Sequence, residues 1–249
     1  AMNSVIPNAH MRDENANMPP PSLVSATFTS DASSVVAEFG SETDRAGLSV
    51  TFPCSDLLEF PGASNAVCVW NDNSKLIIEP GGTDSLINVD DRITVKSGLV
   101  KSECTATSCA DWEASVEHYI VVAAPAYAVQ PSMSLSVPLD VGACDSLTID
   151  VSNSAGNAGR VWTTSTITVS SASESNLSPM QALLDSAAFD DFIIIPREYL
   201  KEATLYSFVA TRCNFLGRCA VEQASVYVDD SKFRPKVAIS GAKRITIMP

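Results

Sequence analysis

Short runs in which apolar and polar residues alternate recur along most of this chain, the period of strands buried on one face. Leu147, Ile149 and Val151 form one such run, and the β-branched stretch over residues 163–169 forms another. Residues 152–159 between them are turn formers, including two glycines that tolerate positive φ. Upstream, Val35, Ala37 and Phe39 fall on one face of a strand while Val36 and Glu38 fall on the other. Residues 49–52, 67–70, 76–78, 91–95, 118–123, 192–195 and 221–228 read as further strands. Residues 71–74 between two of these are Asn, Asp, Asn and Ser, whose side chains bond their own backbone in hairpin turns. One helix is predicted, over residues 176–187: Met180, Leu183 and Leu184 share a face, and Ser178-Pro179 reads as a cap followed by proline in the first turn. In the first half, two short helical turns are the most that the pattern allows.

The pattern predicts an all-β protein of two tandem β-sandwich domains. Residues 1–21, ending in three prolines, read as a flexible leader, in part left over from expression. The first sandwich is expected over residues 22–127 and the second over 128–232, joined at the Pro-rich stretch 124–131, which two prolines hold extended and semi-rigid. Residues 235–241 and 244–248 alternate again, so 233–249 either complete the second sandwich or begin a truncated next module. The opening Ala1-Met2-Asn3 is not a natural start, and the chain reads as an excised piece; no signal peptide or membrane span is visible in it.

Composition narrows the partners. With 16 Lys and Arg against 29 Asp and Glu, the net charge of −13 argues against nucleic acid, whose phosphates need a basic face. Seven cysteines fall into close pairs, Cys54 with Cys68, Cys104 with Cys109 and Cys213 with Cys219, leaving Cys144 over. With no Cys-x-x-Cys and only two histidines, zinc explains them poorly. Short-range disulfides formed in an oxidising compartment explain them better, and point to an extracellular or cell-surface setting. Each would add about 2–4 kcal/mol by restricting the unfolded chain. Asn176-Leu177-Ser178 is an N-glycosylation acceptor triplet.

The order of certain residues resembles a known module. Cys144, Leu147, Asp150, Ser152, Ser154, Gly156, Gly159, Arg160 and Trp162 are spaced as in the receptor-for-egg-jelly (REJ) module of polycystin-type cell-surface proteins. Cys54-Ser55 with Leu57-Leu58, then Cys68 and Trp70, then residues 91–95, resemble its earlier elements. Ile195-Pro196, Leu200, Tyr206, Phe208, Asn214, Phe215 and Gly217 resemble its closing segment. The likeness runs from about Ala26 to Gly241. Leu200, Thr204 and Tyr206 are also similar to the tyrosine corner of fibronectin type III domains, although Glu202 stands where a proline is usual. The resemblance implies Ig/fibronectin type III-like sandwiches in the ectodomain of a large surface receptor or channel-associated protein, acting in adhesion, ligand recognition and spacing. It brings no catalytic residues. The juxtamembrane autoproteolysis motif, lipid-binding domain and membrane spans of polycystins are absent from the chain, and the Cys104–Cys109 loop is particular to it.

Candidate sites are few. Trp70, Trp162 and Tyr206 are expected in the sandwich cores, whereas Trp112, between Asp111 and Glu113, is the better candidate for an exposed contact. Asp229 and Asp230, and less so Asp90 and Asp91, are weak candidates for calcium, since such a site needs six or so converging oxygens. No other cofactor is expected. His118 reads as structural and His10 lies in the leader; no hydrolase, metalloprotease or phosphate-loop motif is present. The expected function is therefore non-enzymatic, with an extracellular protein or glycan as ligand, neighbouring modules of a larger parent chain as partners, and the membrane reached only through parts of that parent missing here. Two other readings are a structural protein of a cell covering or flagellar appendage, in which Cys144 cross-links chains unless it is buried, and a secreted carbohydrate-binding module or enzyme on a sandwich scaffold.

Overall fold

The computed structural model describes residues 18–81, 86–105, 108–142 and 144–230. Most of the leader and the C-terminal stretch 233–249 therefore lie outside the described residues, as do the strands expected at 235–241 and 244–248. The chain divides into two compact units. Among the described residues, the first comprises those up to 130 together with 156–161 and 214–218, and the second comprises 131–155, 162–213 and those from 219 on. Both are β-sandwiches, antiparallel but for one strand pair, and the fold is all-β with one α-helix among the described residues.

In the first unit a five-stranded sheet has the order β1-β2-β6-β5-β3, formed by β1 (Leu23–Phe28), β2 (Val35–Phe39), β3 (Thr51–Pro53), β5 (Val67–Trp70) and β6 (Lys75–Glu79). Facing it, β4 (Leu58–Glu59), β7 (Arg92–Val95) and β8 (His118–Val121) make a three-stranded sheet. The free edge of β1 is not left open: Phe28 N–H donates to Ala123 O and Ala123 N–H donates to Ala26 O, so the residues after β8 pair with it. Such cover matters because a bare edge is a template for unwanted pairing. Val35, Ala37, Ile78 and Leu76 are fully buried between the sheets, and Trp70 packs beside Phe39 and Phe52 with ring centroids 5.8 and 6.2 Å away. The two helical turns are 3-10 turns at Arg45–Gly47 and Cys54–Asp56. In the 71–74 turn, Asp72 Oδ1 accepts from the N–H groups of Ser74 and Lys75 at 2.8 and 2.7 Å, the bonding expected of an Asp turn.

In the second unit β10 (Leu147–Asp150) pairs with β12 (Phe192–Ile195), opposite a four-stranded sheet of order β11-β13-β14-β9. That sheet contains β9 (Asp140–Val141), β11 (Thr164–Ser171), β13 (Thr204–Cys213) and β14 (Cys219–Val228), with β9 parallel to β14 and the other pairs antiparallel. The runs on either side of the 152–159 turn thus enter opposite sheets. Leu147, Ile149 and Val151 are buried with Ile193, Ile195, Tyr206 and Phe208 in one core. Helix α1 (Ser178–Ser186) docks Met180 and Leu184 on that core. Its N-cap is Leu177 and no side chain caps it; Ser178 lies inside the helix, so the expected serine cap is not formed.

Candidate functional site

Tyr206 is the anchor of the second unit. Its ring is fully buried and its hydroxyl accepts from Lys201 N–H at 2.9 Å, five residues upstream. This is the tyrosine corner: one aromatic fills the core while its polar tip pins the approach to β13. The same stretch forms a groove of about 380 Å³. Met180, Leu200 and Tyr206, all buried, supply its apolar side, and half-buried Tyr199 and exposed Pro179 continue it. Glu174, Asn176, Glu198 and Lys201 supply polar groups. Lys201 Nζ pairs with Glu174 Oε2 at 3.0 Å, and Glu174 Oε1 accepts from Asn176 N–H at 2.9 Å. The Asn176 backbone bond, followed by the Lys201 bond, holds the Glu174 carboxyl below its ordinary range. A charged, hydrogen-bonding mouth beside an apolar wall suits a small polar ligand with one apolar face.

A second surface lies on the outer side of the four-stranded sheet. Thr164, Thr166, Thr168 and Ser170 of β11, Leu205, Ser207, Val209 and Thr211 of β13, and Val221, Gln223, Ser225 and Tyr227 of β14 all face outward, and none carries a charge. Registers place Val209 between Thr168 and Gln223, and Ser207 between Ser170 and Ser225. The Ser207 and Ser225 hydroxyls bond across the strands at 2.8 Å. Asp140 of β9, in register with Tyr227, sets a carboxylate at the edge of this face. In a chain of net charge −13, the uncharged part over β11, β13 and β14 can be covered by a partner without burying an unpaired charge.

Disulfides join Cys54 to Cys68, Cys104 to Cys109 and Cys213 to Cys219. The last closes the β13–β14 hairpin, whose loop turns through Gly217 at φ 71°. Cys144 is a free thiol and is exposed, not a buried core residue. Asn176 is exposed at the start of the segment leading into α1. Asp229 is buried and donates its N–H to Val141 O, while Asp230 is exposed; no three His, Cys, Asp or Glu converge on a metal position among the described residues. His118 Nε2 accepts from Leu23 N–H at 2.7 Å, a structural contact between β8 and β1. His10 lies outside the described residues.

Two tryptophans are placed differently from the expectation. Trp112 is buried, at 7% exposure, because residues 109–115 fold back on 98–101: Ser115 N–H donates to Val100 O, and Lys101 Nζ reaches Ala110 O. Trp162 is only half-buried and is not a core residue. The guanidinium of Arg212 lies 5.7 Å from its ring centroid, and Arg212 itself is buried. It donates to Val151 O, Asp190 O, Ser165 Oγ and Asp191 Oδ1, so the interior next to Trp162 is occupied by a cation with four hydrogen bonds. Position 212 continues along β13 the inward alternation of Tyr206, Phe208 and Ala210, but the sequence carries no signal of what a charged residue there would bond.

No family model matches the chain, and no curated protein does. Among solved structures it is similar to the N-terminal eight Ig domains of Down Syndrome Cell Adhesion Molecule isoform 1.30.30, at 9% identity and a TM-score of 0.34, over 85% of this chain and 25% of that one. It is similar to Dpr11 IG1 bound to DIP-gamma, at 10% identity and a TM-score of 0.33, over 85% of this chain and 100% of that one. Drosophila N-cadherin EC1-4 follows at 12% identity and a TM-score of 0.28, over 86% of this chain and 51% of that one. At these identities and scores the likenesses assign no function, and the sandwich architecture stands on the sheets themselves.

Proposed function

We propose that this chain is a non-enzymatic, REJ-like segment of an extracellular, polycystin-like cell-surface protein, which presents a recognition surface and spaces its neighbours. The observation that carries the recognition role is the uncharged outer face of β11, β13 and β14. Its threonines and serines supply hydroxyls that bond in either sense, and Val209, Val221, Leu205 and Tyr227 supply apolar area. The extracellular setting is supported by three disulfides, each closed over a short stretch of chain, which reducing cytosol would not maintain. The REJ assignment is supported by the ordered residues from Cys54 to Gly217. The partner is an extracellular protein or a glycan.

The test uses antibody against the chain on intact cells that express it, followed by binding of the labelled recombinant chain to those cells. Surface staining without permeabilisation is expected. Val209→Glu, which sets a carboxylate in the middle of the face, should weaken cell binding about tenfold or more. Staining that needs permeabilisation overturns the setting, and unchanged binding by Val209→Glu overturns the role of this face.

A further inference from the structure

We infer that Asn176 carries an N-linked glycan whose first sugar sits in the groove beside it, so that this cleft is the seat of the chain's own carbohydrate. The inference rests on the extracellular reading, because the modification is made on chains that enter the secretory pathway, whether they are released or stay at the cell surface. Asn176-Leu177-Ser178 is the one acceptor triplet in the sequence. Asn176 is exposed and lines the groove. Its backbone N–H is engaged by Glu174, which fixes the main chain at the attachment point.

The groove has the chemistry that a pyranose needs. Sugar hydroxyls donate well to carboxylates, and Glu198 and Glu174 stand on its polar side with Lys201 beside them. The C–H face of a sugar packs on rings, and Tyr199 lies on the apolar side with Pro179. Its volume of about 380 Å³ is at the small end of the roughly 300–1,000 Å³ common for ligand clefts, which is room for the sugars nearest the protein. The acceptor on the rim selects the occupant: a sugar joined to Asn176 is present beside the groove at high effective concentration, ahead of any free ligand. In the transfer, the C1–O bond to a lipid pyrophosphate donor breaks and C1 bonds to Asn176 Nδ2. The pyrophosphate leaves with the electron pair, and the amide loses one proton.

The full chain, secreted from a eukaryotic cell, tests both halves. Intact mass should fall on treatment with peptide N-glycosidase, and Asn176→Gln and Ser178→Ala should each abolish that shift. Enzymatic release from the native protein should be about three- to tenfold faster in Tyr199→Ala, which removes the aromatic wall and frees the sugar. Glu198→Ala, at an exposed position, should speed release in the same direction and keeps the test open if the tyrosine variant does not fold. A secreted chain with three intact disulfides and an unmodified Asn176 overturns the modification while leaving the extracellular reading intact. A chain retained in the cell with free thiols overturns that reading itself. Equal release rates from wild type and both groove variants overturn the seating of the sugar.

Discussion

The side-chain amide of Gln181 sits on the backbone of Val169 as a neighbouring strand would. Its Oε1 accepts from Val169 N–H at 3.1 Å, and its Nε2 donates to Ile167 O at 2.9 Å. β11 is the edge of the four-stranded sheet, eight residues long, with neither charge nor proline among them. Strands of that kind invite pairing with another chain unless something covers them. Here α1 supplies the cover, and Gln181 answers the two backbone groups at the middle of the edge.

Gln181→Ala should therefore lower stability by about 1 kcal/mol and open the edge to a second copy. Sedimentation at rising concentration should detect dimers of the variant under conditions where the wild type is monomeric. Gln181→Glu keeps the acceptor for Val169 but sets a carboxylate against the Ile167 carbonyl. It should be less stable than wild type yet stay monomeric, because the added charge guards the edge. If Gln181→Ala keeps wild-type stability and shows no concentration dependence, the side chain does not guard this edge.

Tyr206 separates a polar contribution from an apolar one. Tyr206→Phe keeps the buried ring and removes the oxygen that accepts from Lys201 N–H. The cost should be about 1–2 kcal/mol, since that N–H lies in a part-buried turn. Tyr206→Ala also empties a fully buried ring site and should cost about 3–5 kcal/mol. Urea unfolding of both variants measures the two terms. A Tyr206→Phe variant as stable as wild type would mean that the hydroxyl contributes nothing to the corner.

Within the first unit, acid sensitivity should reside in two turns. The Asp72 carboxyl is held below its ordinary range chiefly by the N–H of Ser74, and that of Asp31 chiefly by the Thr29 hydroxyl. Both bind protons less readily folded than unfolded, so the unfolded state takes up more protons as pH falls. Their stabilisation is full above the unfolded value, about pH 4, and is lost as pH drops through the lower folded values. Both groups are exposed, so the effect is small. Asp31→Asn with Asp72→Asn should flatten the fall of the urea midpoint between about pH 4 and 2 relative to wild type. A variant profile that parallels the wild-type one removes these turns as the source.

Strands, hairpins and the tyrosine corner were legible because each is a local pattern. Alternation set the inward faces of Val35 to Phe39 and Leu147 to Val151, and Asp72 could satisfy its own turn whatever lay around it. What local pattern does not carry is the partner. The outward hydroxyls of β11 are visible in Thr164, Thr166, Thr168 and Ser170, but the uncharged face exists only once β13 and β14 are set beside them in register. Trp162 shows the same limit: an aromatic entering a strand reads as core, and only the arrival of Arg212 from another strand keeps it at the boundary. Gln181 gave no signal, because one glutamine on the polar side of a helix looks like any other until an edge strand lies beneath it.

Arg160 in the first unit is held by two kinds of contact that lysine cannot reproduce together. Its guanidinium lies 3.9 Å from the Phe215 ring centroid and 5.6 Å from that of Phe28, and these two rings meet edge to face at 5.3 Å. In the plane of the group, Nη1 donates to Asn88 Oδ1 at 2.9 Å and Nη2 to Ile87 O at 2.8 Å. Burial lowers its pKa, but an arginine remains protonated, so the charge persists against the rings. A lysine ammonium has no flat face to stack and no fork to reach both oxygens. Arg160→Lys should therefore cost about 1–3 kcal/mol, the range for losing a partly desolvated cation–π contact and one charge-assisted bond. Arg218→Lys, at an exposed position in the same unit, should stay within about 0.5 kcal/mol. The four contacts are to neutral groups, and the Asp91 carboxylate nearby acts on lysine and arginine alike, so the Arg160 loss should persist in high salt, whereas the loss of an exposed ion pair would be screened. Denaturation of both variants at low and high salt checks this, and an Arg160→Lys loss that vanishes in salt would show that charge pairing, not stacking and forked bonding, holds the residue.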